Sequence, residues 1–361
     1  MTSRSWLAPP ASMRTPMHVA ASARVEPAPY PTPRDGAPLR LAFVGQSTFF
    51  GACALEEQSA QIRTTFIEFR SGGDADAMLA QLQAFAPHVV VAFRPEVLPA
   101  GVFADLPAAV LGFLTEPIPR GNTRRAHADL QRRRQDLAAM DPANVDRLVA
   151  FDPLIVPTAD EVMPVWRSLP LPVADRLYRP VRPPRSRPSI LFVGRSTRHR
   201  ERFLDRPKAE LDVVHAAFGI GLDDLDALLD EHDIGVNLHN EPYPSFENRV
   251  CLHLAAGQLV VSETLSPTHG LEPDIDYLEI SEPYQLLGAL RTAVQFPQAY
   301  QRVRIRGRRK AEAYRASRVY RKLIADFLYD LRVFGTERPP VQSGRRPVTR
   351  SSRVRTRTAV R

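Results

Sequence analysis

Cysteine is scarce in this sequence of 361 residues: only Cys53 and Cys251 occur, far apart and outside any CxxC or Cys/His pattern. This usage argues against a disulfide scaffold and a structural zinc site, and it fits a reducing compartment. The first residues lack a continuous apolar segment, and no apolar run approaches the roughly 20 residues of a membrane span. We therefore predict a cytoplasmic protein without a transmembrane segment.

Lysine is scarce as well, since only Lys208, Lys310 and Lys322 occur among 48 basic residues. The net charge of +8 is concentrated near the end of the chain, in arginines that no acidic residue accompanies. These are Arg345, Arg346, Arg350, Arg353, Arg355, Arg357 and Arg361. The rest of the chain is close to neutral, so the charge does not by itself indicate a nucleic-acid-binding protein. We expect the basic tail to contact acidic surfaces.

Several motifs with known chemistry are missing. Gly45 and Gly194 each end a predicted strand, but no GxG of a dinucleotide-binding loop follows them. The sequence also contains no P-loop, no HExxH and no GxSxG. His239 and His253 lie on either side of one loop, but a lone histidine is more often structural than a ligand. We predict no metal and no cofactor.

The length and the 44% of hydrophobic residues are enough for two cores. Strand-like and helix-like segments alternate, which indicates parallel α/β domains. Composition divides the chain into a disordered segment 1–38, an N-terminal domain 39–170, a proline-rich linker 171–188, a C-terminal domain 189–335 and a disordered basic tail 336–361.

A short repeat supports this division. Residues 41–48 and 189–197 share the pattern FVGxST, at the end of the first predicted strand of each domain. Two matching beginnings predict two similar α/β domains.

The stretch 233–263 predicts a strand, a loop, a helix and a second strand. Ser245 is expected to cap the helix, with Glu247 in its first turn and a left-handed Gly257 at its end. In a parallel βαβ unit the N-terminus of the helix faces the carboxyl ends of the strands, where α/β folds bind ligands. Free amides and Arg249 at that point favour an anion such as a diphosphate. The alternative is an ordinary βαβ unit in which Arg249 pairs with Glu247 or a nearby loop.

The same region resembles glycosyltransferases of the GT-B fold, in particular the group 1 glycosyltransferases and the family that includes the CgeB-like spore-maturation proteins. The similarity lies in GVNLH at 235–239, FENRV at 246–250 and LAAG at 254–257. The stretches 191–201 and 173–180 resemble the opening and the linker of the family. The resemblance spans about 148–332, while 39–147 matches only in pattern.

The resemblance implies two Rossmann-like domains with a cleft between them, and the transfer of a sugar from a nucleotide-sugar donor without a bound divalent ion. The donor would bind mainly to the C-terminal domain. The residues that the resemblance places at the donor are Gly194, Arg195, Thr197, Arg200, Asn237, Ser245, Phe246, Glu247, Asn248 and Arg249.

The N-terminal domain would bind the acceptor, whose chemical class (glycan, lipid, protein or small molecule) stays open. Glu116 follows a predicted strand and is the candidate base or acceptor contact, because a carboxylate there can take the proton of an acceptor hydroxyl. A surface glutamate that caps the next turn is the alternative. The loop with Gly45 and Ser47 is expected to approach the acceptor or the donor phosphates.

Two positions depart from the family. Related retaining enzymes have a pair of carboxylates where this chain has Pro244 and Leu252, so retaining and inverting chemistry both stay open. This departure keeps a non-catalytic GT-B-like binding module as an alternative function, and a sugar-nucleotide epimerase of the same fold is another. Nucleic-acid binding by the basic tail is a weaker fourth possibility.

Overall fold

A computed structural model describes residues 33, 36–120, 128–217, 219–240 and 244–336 of the chain. The two segments predicted to be disordered, 1–38 and 336–361, lie almost entirely outside the described residues. Within the described part, no helix is both long and apolar enough to cross a membrane.

The first half of the chain alternates strands and helices: β1 (Leu39–Gly45), α1 (Ser47–Phe50), β2 (Ile62–Glu68), α2 (Ala75–Phe85), β3 (Val89–Phe93), β4 (Ala109–Leu114), α3 (Ala128–Ala138), β5 (Arg147–Ala150), α4 (Val156–Ala159) and β6 (Val165–Ser168). The strands form one parallel sheet in the order β2-β1-β3-β4-β5-β6. The central strands β3 and β4 are buried along their whole length, as their continuous apolar runs require.

The second half continues with β7 (Ile190–Val193), α5 (Arg198–Glu210), β8 (Val213–Ala216), α6 (Leu222–Glu231), β9 (Ile234–Asn237), α7 (Asn248–Ala255), β10 (Leu259–Glu263), β11 (Leu278–Ile280), α8 (Pro283–Gln295), α9 (Gln301–Ala311) and α10 (Ala316–Phe334). Its parallel sheet has the order β8-β7-β9-β10-β11. In both sheets the first strand lies between the second and the third. The two strands that carry the FVGxST repeat therefore occupy equivalent places, and the prediction of two Rossmann-like domains is confirmed.

The last helix, α10, packs on the core of the N-terminal domain. Its side chains Tyr320, Phe327 and Leu331 share one hydrophobic core with β1, β3 and β4. The Tyr320 hydroxyl donates a hydrogen bond to the Cys53 carbonyl at 2.9 Å. The C-terminal domain predicted at 189–335 therefore does not include α10, which packs on the N-terminal domain. The sequence could not show this, because an apolar stripe on a helix does not reveal which core will bury it.

The chain crosses between the domains twice, and the two crossings are hydrogen-bonded to each other. The Val173 amide donates to the Tyr314 carbonyl, and the Ala316 amide donates to the Val173 carbonyl, each at 2.8 Å. Val173 and Leu177, which belong to the proline-rich linker 171–188, are fully buried. The domains are thus joined by packed segments.

Candidate functional site

A cleft of about 510 Å³ lies between the domains, at the carboxyl ends of their strands. Gln46, Arg94 and Thr115 directly follow β1, β3 and β4, and Arg195 and Asn240 come within three residues of the ends of β7 and β9. This edge of a parallel sheet is where α/β folds bind ligands. Both domains therefore contribute walls to one candidate site.

The cleft contains most of the residues that the sequence predicted. Those that line it are Glu116, Arg195, Arg200, Ser245, Phe246, Glu247, Asn248 and Arg249. Two others support them: Thr197 caps α5 by accepting from the Arg200 amide at 3.3 Å, and Asn237 accepts from Arg249 Nε at 3.1 Å.

Glu247 holds two buried arginines together. Its carboxylate accepts from Arg200 Nη2 at 3.1 and 3.3 Å, forms an ion pair with Arg249, and accepts from the Asn240 amide at 2.9 Å. Burial alone would raise the pKa of Glu247, but the charges of Arg249 and Arg200 outweigh burial and hold the pKa below its ordinary value. The group is ionised at neutral pH, and the three residues together carry one net positive charge.

Arg249 also connects α7 to the sheet. Its guanidinium donates to Asn237 Oδ1 at 3.1 Å, to the Leu238 carbonyl at 2.9 Å and to the Val193 carbonyl. Burial lowers the pKa of Arg249 to about 10, so the side chain stays charged at neutral pH. The pairing of Arg249 with Glu247 is therefore observed, and Arg249 acts on the cleft mainly through its charge, because most of its N–H groups are bound within the protein.

Gly194 leaves room for these arginines. Its φ is +150°, and a Cβ atom at this position would overlap the Arg249 guanidinium and lie 3.3 Å from Arg200 Nη1. The glycine predicted at the donor site is thus required by the close approach of two side chains.

We expect Gly194→Ala to lower the free energy of unfolding by about 1–3 kcal/mol, the range for overpacked interiors, because Arg249 must move. Gly288→Ala is the matched control, since a Cβ atom added there meets nothing within 4 Å and alanine favours helix α8. Urea denaturation of both variants measures the difference. Equal midpoints would contradict this account of Gly194.

The start of α7 differs from the prediction. The helix begins at Asn248 with Glu247 as its N-cap residue and without a side-chain cap, while Ser245 Oγ lies 2.9 Å from His239 Nδ1. The prediction that Ser245 caps this helix is wrong, because Glu247 turns toward the arginines and the helix starts later. Gly257 follows the helix end with φ +73°, as predicted.

Two buried polar atoms on the cleft wall have no hydrogen-bond partner among the described residues: Thr115 Oγ1 and Asn248 Oδ1. The other end of the Asn248 amide is fixed, since Nδ2 donates to Cys53 Sγ at 3.1 Å. Buried polar groups are usually satisfied, so these two atoms are exceptions, and both are covered from solvent.

The sequence did not predict the arginines of the N-terminal wall. Arg94 pairs with Glu96 at 2.9 Å, and Arg133 pairs with Glu116 at 3.1 Å. Arg94 directly follows β3, so its place at the carboxyl end of a strand was a usable signal. The other wall arginines lie on α3, and no pattern in the sequence points that helix at the cleft.

Polar contacts also span the two walls. Arg195 Nη2 lies 3.4 Å from the Asp129 carboxylate of the opposite domain. Arg120 donates to the carbonyls of Pro244 and Ser266 at 2.9 and 2.7 Å, across the domain boundary. The two domains are therefore held close on both sides of the cleft.

The loop after β1 has other partners. A Cβ atom on Gly45 would lie only 3.1 Å from Phe93 Cβ, so aromatic packing explains this glycine. The Ser47 amide donates to Glu68 Oε2 at 2.8 Å, and Ser47 lines a separate cavity of about 530 Å³. The structure thus places neither predicted residue on the wall of the cleft.

Two Rossmann-like domains that face each other across such a cleft define the GT-B architecture. No family model matches the sequence, and no curated protein matches it. Among solved structures the chain is similar to HepE from Anabaena in complex with UDP-glucose, with a TM-score of 0.53 and 11% identity over 81% of this chain and 100% of that one. HepE in complex with UDP and glucose gives a TM-score of 0.51 and 12% identity over the same shares. At this identity the similarity confirms the fold.

Proposed function

We propose that this chain transfers a sugar from a nucleotide-sugar donor to an acceptor hydroxyl. The observation that carries the proposal is the C-terminal wall of the cleft, where Arg200 and Arg249 pair with the carboxylate of Glu247 and Arg195 lines the same wall. Similarity to HepE, whose structures hold UDP and UDP-glucose, supports a uridine nucleotide as the first donor to test.

The C-terminal wall supplies what a departing diphosphate needs. In this proposal, positive charge from the arginines offsets the negative charge that develops on the leaving group. Arg195 is the most exposed of the three arginines on this wall, with 47% of its side chain accessible, and it pairs with Asp129 of the opposite domain. Glu247, in this proposal, positions Arg200 and Arg249.

The N-terminal wall places Glu116 opposite the donor residues. Its carboxylate pairs with Arg133 and lines the cleft, so it is within the space where an acceptor would lie. We propose that Glu116 takes the proton of the acceptor hydroxyl.

We further propose that the reaction needs no metal ion. Within the described ranges, no three His, Cys, Asp or Glu side chains are grouped in a way that could hold one. The arginines would offset the diphosphate charge in its place. We expect a chelator such as EDTA to leave the rate unchanged, whereas loss of activity restored by Mg²⁺ or Mn²⁺ would contradict this.

The proposal is tested by incubating the protein with a panel of nucleotide-sugars and measuring released nucleoside diphosphate. Release with one donor class is the expected result.

Pro244 and Leu252 stand where related enzymes have carboxylates, which favours a binding module as the second candidate. Binding without any release would support that module, and a changed sugar on an intact nucleotide would support an epimerase. Membership of the CgeB-like family and a cytoplasmic location stay predictions.

A further inference from the structure

The outer face of α10 carries positive charge without compensating acids. Opposite the buried stripe of this helix lies an exposed stripe with Arg318, Lys322 and Arg332. Within the part of the chain that the structure describes, none of these three is ion-paired. The two acids of α10, Asp326 and Asp330, pair with arginines of the first sheet at 2.6 and 2.7 Å.

A cavity of about 390 Å³ opens beside this stripe. Arg318 and Lys322 line it together with Arg167, Ser168 and His269, and among the residues with a described position no acidic one lines it. A phosphate group fits this combination of cations and a hydroxyl. The cavity faces the crossing between the domains and is separate from the arginine-lined cleft.

The C-terminal end of α10 exposes large apolar side chains. Tyr329, Val333 and Phe334 are 65%, 51% and 75% exposed within six residues. Single exposed apolar residues are common, but a cluster next to uncompensated cations marks an interaction surface. After Glu337 the sequence has no acidic residue and eight arginines: Arg338, Arg345, Arg346, Arg350, Arg353, Arg355, Arg357 and Arg361.

We propose that the outer face of α10 docks on a bilayer surface that carries anionic lipids. Tyr329, Val333 and Phe334 would enter the headgroup region, while Arg318 and Lys322 bind lipid phosphates at the cavity. Clustered cations attract anionic lipids, and exposed apolar side chains add burial that a nucleic acid backbone does not offer. This surface lies outside the cleft, so the proposal is independent of sugar transfer.

Co-sedimentation of the full-length protein with vesicles tests the proposal. We expect binding to phosphatidylcholine vesicles that contain phosphatidylglycerol, and much weaker binding to pure phosphatidylcholine. The double variant Arg318→Glu, Lys322→Glu should bind at least about tenfold more weakly. The variant Tyr329→Ser, Val333→Ser, Phe334→Ser should also lose affinity while keeping the full charge.

The charge-matched control is Arg302→Glu, Arg309→Glu on α9, where both side chains are exposed. We expect it to bind as the wild type does, and unchanged melting temperatures should show that all variants fold. If this control lost as much affinity for the vesicles as the α10 variant, net charge alone would explain the effect, and the proposal would be overturned. The proposal would also be overturned if the wild-type protein did not bind anionic vesicles. A second contradicting result would be a triple serine variant that binds vesicles as strongly as the wild type, in a protein that also binds duplex DNA tightly.

Discussion

Replacing Glu116 with glutamine is expected to lower the rate of sugar transfer about 10²–10⁴-fold, the range for the loss of a positioned general base. Glutamine keeps the shape of the side chain but cannot take a proton from the acceptor hydroxyl. Binding of the nucleoside diphosphate should stay within about twofold, because the donor residues lie on the opposite wall of the cleft. Rates with a fixed donor and acceptor, together with a direct binding measurement, separate the two effects.

The matched control is Glu161→Gln. Glu161 pairs with Arg134 at 2.6 Å, much as Glu116 pairs with Arg133, but it does not line the cleft. This variant should keep the wild-type rate. If Glu116→Gln kept the wild-type rate, Glu116 would not be the base, and its only role would be to pair with Arg133.

Replacing Glu247 with glutamine is expected to lower the free energy of unfolding by about 2–4 kcal/mol. Removing one partner of a fully buried ion pair costs about 3–5 kcal/mol. A quarter of the Glu247 side chain is exposed, so solvent reduces that cost. Without the carboxylate, Arg200 and Arg249 face each other as like charges, and we expect the cleft to lose its ordered wall.

The pH dependence of stability gives an independent check on Glu247. Its pKa in the folded protein lies below the ordinary 4.5, so its contribution to stability is fully present above that value and is lost as the pH falls through the folded pKa. The stability difference between wild type and Glu247→Gln should therefore shrink below about pH 4.5. A difference that stays constant from neutral pH to pH 3 would contradict this role. Glu56→Gln is the control, because its only ion-pair partner among the described residues is Arg176 at 4.0 Å.

The sequence predicted the architecture well because the signals for it are local. Short apolar runs marked the strands, and the repeated FVGxST showed that the two domains begin alike. The edge of the sheets where a ligand binds followed from the parallel topology. The resemblance to GT-B enzymes named Arg195, Arg200 and Arg249, and all three line the cleft.

The sequence failed where a long-range contact decides the outcome. Ser245 is a good helix cap by type, but two arginines pair with Glu247 and the helix starts two residues later than predicted, with Glu247 as its N-cap residue. The amphipathic pattern of helix α10 would suit packing on either domain. Only the folded chain shows that Tyr320 and Phe327 pack in the core of the N-terminal domain. The arginines of the N-terminal wall depend on how α3 is oriented, which no local pattern encodes.

The central claim is that the arginine-lined cleft binds a nucleoside diphosphate, and the most direct test is ligand-induced thermal stabilisation. UDP and UDP-sugars should raise the melting temperature of the wild type, by an amount equivalent to about 2.7 kcal/mol at a ligand concentration of 100 times Kd. Arg195→Ala should bind at least about tenfold more weakly, since it removes a half-exposed cation without touching the core. The control Arg206→Ala, which removes an arginine 70% exposed outside the cleft, should respond like the wild type. If no nucleoside diphosphate or nucleotide-sugar stabilises the wild-type protein, the claim is contradicted.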